Sequence, residues 1–222
     1  LYLQGTATEN KGEAPIPFRK VSDGIFVIYT QLNDGNIYFI DAENNGVNYT
    51  VDASGKLTEG EEPYAVQKEE NVVRFTLNFN TKSIKKEIIS RVRMIWGANY
   101  EVITEMPYVG NGIFKHENVY VQCFDPNDPT IQMPPGISWF EERYYFIATI
   151  DGNDWCWGRG DGISAEQPTD NESLSFYELH EFAWSQWDHL WKISHSIHKK
   201  HCTVTIQTNE NNMMIHSFSD IK

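Results

Sequence analysis

The stretch Asn71-Val72-Val73-Arg74-Phe75-Thr76-Leu77-Asn78-Phe79 decides the fold class, because its apolar and polar residues alternate. Every second residue from position 73 to position 79 is apolar, and the residues between them are Arg74, Thr76 and Asn78. A period of two is the pattern of a half-buried β-strand. We therefore expect a strand whose apolar face lies in a core and whose other face, with Arg74, points to solvent.

The segments around this stretch carry further strand signals. Residues 24–30 form a β-branched and aromatic run that is apolar on both faces, which is typical of a buried strand. Asn33-Asp34-Gly35-Asn36 predicts a hairpin turn, because Asp-Gly tolerates the positive φ angles that such turns need, and residues 37–41 are its return strand. Residues 1–6 are expected to form a short strand, 47–52 and 55–58 weaker strands, and 83–89 the segment that closes the unit, with a proline-containing loop at 9–22. This spacing predicts one β-sandwich.

The pattern then restarts, which indicates a degenerate internal repeat. Residues 92–98 echo 1–7, residues 110–114 echo 22–26, residues 143–147 echo 36–40, and the block from 202 to 218 echoes 72–89. The sequence therefore predicts an all-β fold of two tandem Ig-like or carbohydrate-binding-type β-sandwich domains, residues 1–89 and 90–222. The second copy has extra residues at 125–142 and 158–200, and such insertions usually form surface loops that carry function.

Composition and charge narrow the classes of partner. The chain has 222 residues, of which 40% are hydrophobic, and a net charge of -13. That charge argues against nucleic acid and anionic membrane, since both need a basic face. Three cysteines without a CxxC pair do not make a disulfide framework, so three thiols or one disulfide plus a thiol both remain open. No apolar run reaches the roughly 20 residues of a transmembrane helix.

Tryptophan is concentrated in the second half of the chain. All seven tryptophans follow residue 95, and five of them lie between Trp155 and Trp191. A period of two places Trp155 and Trp157 on one face of a short strand. Trp184, Trp187 and Trp191 would share a face if their segment were helical. Each ring can fill the core or can offer a flat surface to the C–H face of a sugar, and both interpretations stay open for each one.

The candidates for ligand contact are five tryptophans and three polar residues able to bind hydroxyl groups. They are Trp96, Trp155, Trp157, Trp187, Trp191, Arg159, Gln186 and Lys192.

Motifs for catalysis and metal binding are missing from the sequence. There is no serine elbow, phosphate loop or dinucleotide fingerprint. His180-Glu181 begins like a zinc-protease motif but lacks the second histidine. His195, His198 and His201 are more typical of a solvated loop than of a metal site, because no acid or cysteine stands at ligand spacing. We expect no enzymatic activity, no metal and no cofactor.

A resemblance to a known family runs over nearly all of the chain. The blocks that carry it are Leu1-Tyr2-Leu3-Gln4-Gly5-Thr6-Ala7-Thr8, Lys20-Val21-Ser22-Asp23-Gly24-Ile25-Phe26, Met106-Pro107-Tyr108-Val109-Gly110-Asn111-Gly112-Ile113-Phe114, Arg143-Tyr144-Tyr145-Phe146, Trp155-Cys156-Trp157-Gly158 and Ser185-Gln186-Trp187-Asp188-His189-Leu190-Trp191-Lys192. In this order they make the chain resemble the SusE/SusF-type outer-membrane lipoproteins of Bacteroidetes polysaccharide-utilisation systems.

The resemblance implies tandem β-sandwich modules on the cell outer membrane, attached only through a lipid anchor that precedes residue 1. Such proteins hold oligosaccharide or polysaccharide near partner proteins of glycan uptake, without catalysis. Their sites use an aromatic arc with Lys, Arg and amide side chains. This chain departs from the family at residues 9–22, where related modules often carry a tryptophan and this one has none. We therefore expect the glycan to bind the second domain.

Two other functions are compatible with the same residues. The tryptophans could anchor a protein interface within a surface complex. The chain could also be an accessory domain or a catalytic fragment of a glycoside hydrolase, which would need two carboxylates facing each other across a cleft.

Overall fold

The computed structural model describes residues 1–41, 46–160, 173–184 and 189–222. Within these ranges the regular elements are β-strands, apart from two 3-10 turns at Leu174–Tyr177 and His195–Ile197. The all-β prediction is confirmed. No helix in the described ranges is long and apolar enough to cross a bilayer.

The strands are numbered in chain order. They are β1 (Tyr2–Gln4), β2 (Ile16–Pro17), β3 (Arg19–Ser22), β4 (Ile25–Leu32), β5 (Gly35–Ile40), β6 (Asn48–Val51), β7 (Leu57–Glu59), β8 (Tyr64–Val66), β9 (Glu69–Asn78), β10 (Ser83–Trp96), β11 (Val102–Glu105), β12 (Tyr108–Gly110), β13 (Ile113–Val121), β14 (Arg143–Ile150), β15 (Asn153–Arg159), β16 (Leu179–Ala183), β17 (Trp191–Lys192), β18 (Lys200–Thr208) and β19 (Met214–Ser219).

The chain divides into two compact units. The first contains Leu1–Ser90, Val109–Gly112 and Glu210–Asn212, and the second contains the rest. Strand β10 contributes residues to both, because its early residues pair with β9 and its last residues pair with β11. The boundary expected between residues 89 and 90 therefore lies inside a strand rather than in a linker.

The first unit has a core between two sets of strands. One set follows the order β2-β1-β5-β6-β7, and the other includes β3, β4, β9 and the early part of β10. The apolar face of β9 is fully buried at Val73, Phe75 and Leu77, as its alternation predicts. Phe75 meets Phe39 of β5 in an edge-to-face contact, with ring centroids 5.8 Å apart.

The other face of β9 differs from the prediction, because Arg74 is buried rather than solvent-facing. Register places Arg74 directly opposite Glu87 of β10, and its Nε donates to Glu87 Oε2 at 2.8 Å. Burial raises the pKa of Glu87, but the hydrogen bonds from Arg74 and Lys85 outweigh it and hold the pKa below the usual carboxyl value. Arg74 can lie away from solvent because its charge is matched.

The connection at residues 33–36 is not the hairpin that the sequence predicts. Strand β4 pairs with β3 and β9, whereas β5 pairs with β1, β6 and β8, so the chain crosses to another set of strands. The crossing is fixed to the segment before it: Asn33 N–H donates to Ala7 O, and Ala7 N–H donates to Asn36 O. Asp-Gly correctly marks a bend in the chain, but the partner of the returning strand is decided by tertiary contacts.

In the second unit, strands β14, β15 and β16 follow one another in one set, with β17 also pairing with β14. Strands β13, β18 and β19 form another set. An aromatic cluster of Tyr144, Trp191 and His216 lies in the core of the second unit. His216 Nδ1–H donates to Tyr177 O at 3.0 Å and Nε2 accepts from Tyr144 O–H at 2.8 Å. Burial lowers the pKa of His216 to about 3, so it is a neutral core residue.

Strands at corresponding positions of the sequence repeat have corresponding partners. Strand β1 is a neighbour of β5, and their counterparts β10 and β14 are also neighbours. Strand β4 pairs with β9, and β13 pairs with β18. The hairpin of β9 and β10 is matched by that of β18 and β19. The echoed sequence landmarks thus occupy equivalent places in the strand pairing.

Candidate functional site: the Trp139 surface

The exposure of the tryptophans separates core residues from candidate ligand contacts. Of the six tryptophans in the described ranges, Trp139 is 50% exposed, Trp184 is 48% exposed and Trp155 is 37% exposed. Trp187 and Gln186, both predicted to contact ligand, lie outside the described residues. Among the described tryptophans that the sequence predicts to contact ligand, Trp155 is therefore the one with an accessible face.

Three of the predicted rings are buried, which corrects their assignment as ligand contacts. Trp157 is 2% exposed, packs on Phe114 and donates its indole N–H to Glu181 at 2.9 Å. Trp191 is fully buried and donates its N–H to the Phe176 carbonyl at 2.7 Å.

Trp96, 7% exposed, packs edge-to-face on Phe124. Trp155 and Trp157 lie on one face of β15 but differ in exposure, at 37% and 2%. Trp157 lies opposite Phe146, whereas Trp155 lies opposite Ala148, nearer the turn.

The condition under which Trp184, Trp187 and Trp191 would share a helical face is not met at Trp184 and Trp191, and residues 185–188 lie outside the described residues. Trp184 follows strand β16, and Trp191 begins strand β17. The Trp184 N–H donates to the Tyr145 hydroxyl at 3.2 Å, and its ring packs on Tyr100. Trp184 is thus an exposed ring with a fixed edge, separate from the buried Trp191.

The two described polar candidates have different surroundings. Arg159 Nε donates to the Leu190 carbonyl at 2.9 Å, and another guanidinium nitrogen donates to the Gly160 carbonyl at 3.3 Å. These bonds give Arg159 a structural role in holding the chain before β17. Lys192 lies in β17 opposite Arg143 and extends its ammonium toward Glu142.

Trp139, which lies just before β14, is an exposed indole whose edge is held by a buried carboxylate. Its Nε1–H donates to Glu141 Oε2 at 2.8 Å, and Glu141 is only 1% exposed. Arg143 Nε donates to the other Glu141 oxygen at 2.7 Å, and a second guanidinium nitrogen bonds Oε2. Burial alone would raise the pKa of Glu141, but the hydrogen bonds from Arg143 and Trp139 lower it below its usual value. An ionised, clamped carboxylate therefore fixes the edge of a ring whose face stays open.

A second carboxylate, Glu142, follows Glu141 in the chain and is held more loosely. Its side chain is 9% exposed, and its Oε1 is 3.7 Å from Lys192 Nζ and 3.9 Å from His195 Nε2. Burial raises the pKa of Glu142 and outweighs the lowering by Lys192 and His195. The ring of His195 packs on Phe140, with centroids 4.7 Å apart.

We name these residues together the Trp139 surface. It consists of Trp139, Glu141 and Arg143, together with the residues joined to them by sequence, strand pairing or contact, which are Phe140, Glu142, Lys192 and His195. The pairing of β14 with β17 places Arg143 next to Lys192, and the turn that starts at His195 follows β17 closely. The surface combines a flat apolar face with cationic and carboxylate groups, which is the chemistry that a sugar ring and its hydroxyls require.

Sequence reasoning missed Trp139 as a site residue, and of its eight candidates only Lys192 lies in the Trp139 surface. Two signals were available. Trp139 falls within the 125–142 insertion, which was expected to carry function. The order Trp139, Glu141, Arg143 also puts a ring, an acid and a base at alternate positions leading into a strand, where they share a face.

The three cysteines are buried thiols, and the metal-binding residue types of the described ranges are not clustered. Cys123, Cys156 and Cys202 are free and buried. Burial raises the pKa of Cys123 and Cys156 to about 12, so neither is a thiolate at neutral pH. Across the described ranges, no group of three His, Cys, Asp or Glu residues is placed to hold a metal ion.

A comparison of the chain with protein-family models found no match, and a comparison with curated proteins found none either.

Proposed function

We propose that the chain is a non-catalytic glycan-binding protein whose second unit holds oligosaccharide or polysaccharide on the Trp139 surface. The observation that carries the proposal is the state of Trp139. Half of the ring is accessible, while its N–H is fixed by a buried carboxylate that Arg143 clamps. A ring with a fixed orientation and an open face binds without the entropy loss of ordering a mobile side chain.

Binding would follow from stacking supported by polar contacts at the ring edge. The C–H face of a sugar stacks on the indole, and each such contact contributes on the order of 1 kcal/mol, by analogy with aromatic pairs. Micromolar affinity needs about 8 kcal/mol, so several contacts are required. Arg143, with Lys192 opposite it on β17, supplies polar groups close to the Glu141 carboxylate that holds Trp139, and Trp155 and Trp184 are further exposed rings in the same unit.

The wider setting follows from the resemblance to SusE/SusF-type lipoproteins. We propose tandem Ig-like or carbohydrate-binding-type sandwich modules, carried on the cell outer membrane by a lipid anchor, working with other proteins of glycan uptake. The equivalent strand pairing of the two units supports a duplicated module.

Affinity gel electrophoresis with a panel of soluble polysaccharides tests this function. At least one polysaccharide is expected to retard the wild-type chain, and Trp139→Ala is expected to weaken that binding about fivefold through loss of one stacking contact. Tyr120→Ala is the matched control, because Tyr120 is also half exposed but lies on β13 beside His201. It should bind like the wild type.

Two results would count against the proposal. Unchanged retardation of Trp139→Ala would remove Trp139 from the site. Absence of retardation by every polysaccharide would exclude glycan binding and favour the Trp139 surface as an anchor for a partner protein instead.

A further inference from the structure

Strand β19 ends its sheet without the features that protect the other sheet ends. Those ends are β2, β7 and β12, which have three residues or fewer, β3, which carries Arg19 and Lys20, and β16, which carries Glu181. Short length, charge and proline are the usual means by which an exposed edge avoids pairing with another chain. Strand β19 has six residues, pairs with β18 in an unbroken register and contains neither a charged residue nor proline.

A cavity of about 320 Å³ lies along the outer edge of β19. Four consecutive residues of the strand, 215–218, line it. Because successive side chains of a strand point to opposite faces, four residues in a row line one cavity where it lies at the edge of the strand. Residues of the two 3-10 turns, among them Leu174 and Ile197, line other parts. A backbone bridge between Glu178 and Ile215 holds the start of this edge, and no strand of the described ranges pairs with β19 beyond it.

The cavity is lined by apolar and hydroxyl groups in a chain whose net charge is -13. Among the described residues that line it, none is Asp, Glu, Lys or Arg, and His216 is neutral. Leu174 and Ile221 leave 47% and 44% of their surface exposed. Ser194 and Ser196 bond each other at 2.6 Å, so one of their two hydroxyl protons remains for an acceptor outside the pair. A charged group would lose hydration here without gaining a counter-charge, so the lining favours an uncharged occupant.

We infer that the outer edge of β19 is a docking site for an extended, uncharged segment of a partner protein, which joins the sheet as a further strand. In this mode main-chain hydrogen bonds supply affinity, and the cavity selects the side chains. The sequence of β18 shows a side-chain pattern that β19 accepts, since threonine alternates with Val204 and Ile206 along the strand that pairs with its inner edge. The site shares no residue with the Trp139 surface, so the inference does not depend on glycan binding.

Fluorescence anisotropy with labelled peptides tests the docking site on the intact chain. The probe is Thr-Val-Thr-Ile-Gln-Thr, the sequence of residues 203–208, blocked at its C-terminus. We expect saturable binding of this peptide. Thr-Lys-Thr-Glu-Gln-Thr has the same length and net charge but carries charged side chains, and Thr-Val-Thr-Pro-Gln-Thr lacks one main-chain donor. Both should bind about tenfold more weakly or worse.

A variant of the strand edge links the binding to β19. Ser217→Lys places a charge at the edge and should weaken binding of the uncharged peptide about tenfold or more. Ser83→Lys is the matched control, because Ser83 is also an exposed strand serine but lies on β10 in the first unit. Ser217 is exposed, so its replacement should leave the urea midpoint in place. If the midpoint falls, Ile221→Glu, at another exposed lining residue, takes its place.

Three outcomes would overturn the inference. The first is absence of saturable binding by the uncharged peptide. The second is equal binding of the three peptides, or binding to Ser217→Lys that matches the wild type. The third is a concentration-dependent dimer in analytical ultracentrifugation that Ser217→Lys abolishes, because a second copy of the chain would then occupy the edge.

Discussion

Arg74 and Glu87 face each other across β9 and β10 with little access to solvent, their side chains being 11% and 6% exposed. We expect Glu87→Gln to destabilise the chain by about 3 kcal/mol, because it removes the carboxylate charge to which the buried Arg74 side chain is bonded. Urea denaturation at pH 7 measures the change. Glu117→Gln is the control, since Glu117 pairs with Lys115 at the surface and should leave the midpoint unchanged.

The Arg74–Glu87 ion pair also predicts that the free energy of unfolding decreases as the pH falls. The pKa of Glu87 is lower in the folded chain than in the unfolded chain, because the bonds from Arg74 and Lys85 outweigh burial. Its stabilisation is thus present above the ordinary carboxyl pKa of about 4.3 and is lost as pH falls through the folded value. The difference between wild type and Glu87→Gln should shrink from pH 7 to pH 3. A constant difference would show that the Glu87 charge does not carry the effect.

Single residues also show how far sequence reasoning reaches. The alternation in β9 correctly places Phe75 in the core, but it cannot show that Arg74 faces a counter-charge, since Glu87 meets it only through strand register. The sequence also cannot decide whether a given tryptophan is buried or exposed. Trp155 and Trp157 share a face of β15 and differ in burial, because their cross-strand neighbours differ in size and position. A residue type predicts what a side chain can do, whereas tertiary position decides whether a ligand can reach it.

At the scale of elements, the strands could be predicted and part of their pairing could not. Period-two alternation and β-branched runs depend on nearby residues, and they correctly located β4, β9 and the aromatic part of β14. The partner of β5 depends instead on β1, which is more than thirty residues away at its start and approaches β5 closely. The Asp-Gly pair therefore correctly predicted a bend at residues 33–36, but the predicted pairing of β5 with β4 was wrong.

The close approach of the β1 end to β5 can be tested at Gly5. This residue has a φ of +132°, and an added Cβ would lie 2.2 Å from the Asn36 carbonyl oxygen. Gly5→Ala should cost about 3 kcal/mol, since backbone strain adds to an overlap that a main-chain atom cannot easily relieve. Gly55→Ala is the control, because φ is +81° there but nothing lies within 4 Å, and it should cost about 1 kcal/mol. Equal losses in urea denaturation would contradict the crossing of the chain at this point.

At the scale of the whole molecule, each compact unit has a core of its own. The first unit buries a cluster that includes Leu3, Phe39 and Phe75. The second buries Tyr144 and Phe146 with their aromatic neighbours. The repeat in the sequence indicated two modules, because echoed landmarks need equivalent partners. It could not show that the expected boundary falls within β10, since strand propensity runs without interruption from Ser83 to Trp96.

Separate cores predict separate unfolding transitions, and the tryptophan distribution makes them measurable. All seven tryptophans belong to the second unit, so tryptophan fluorescence reports that unit, whereas far-ultraviolet circular dichroism reports the strands of both.

Phe75→Ala removes a fully buried ring of the first unit and should cost about 3–5 kcal/mol there. It should shift part of the dichroism transition in urea and leave the fluorescence midpoint in place. Phe146→Ala, the equivalent change in the second core, should move the fluorescence midpoint. If Phe75→Ala moved both signals by the same amount, the chain would unfold as one cooperative unit with β10 transmitting the loss.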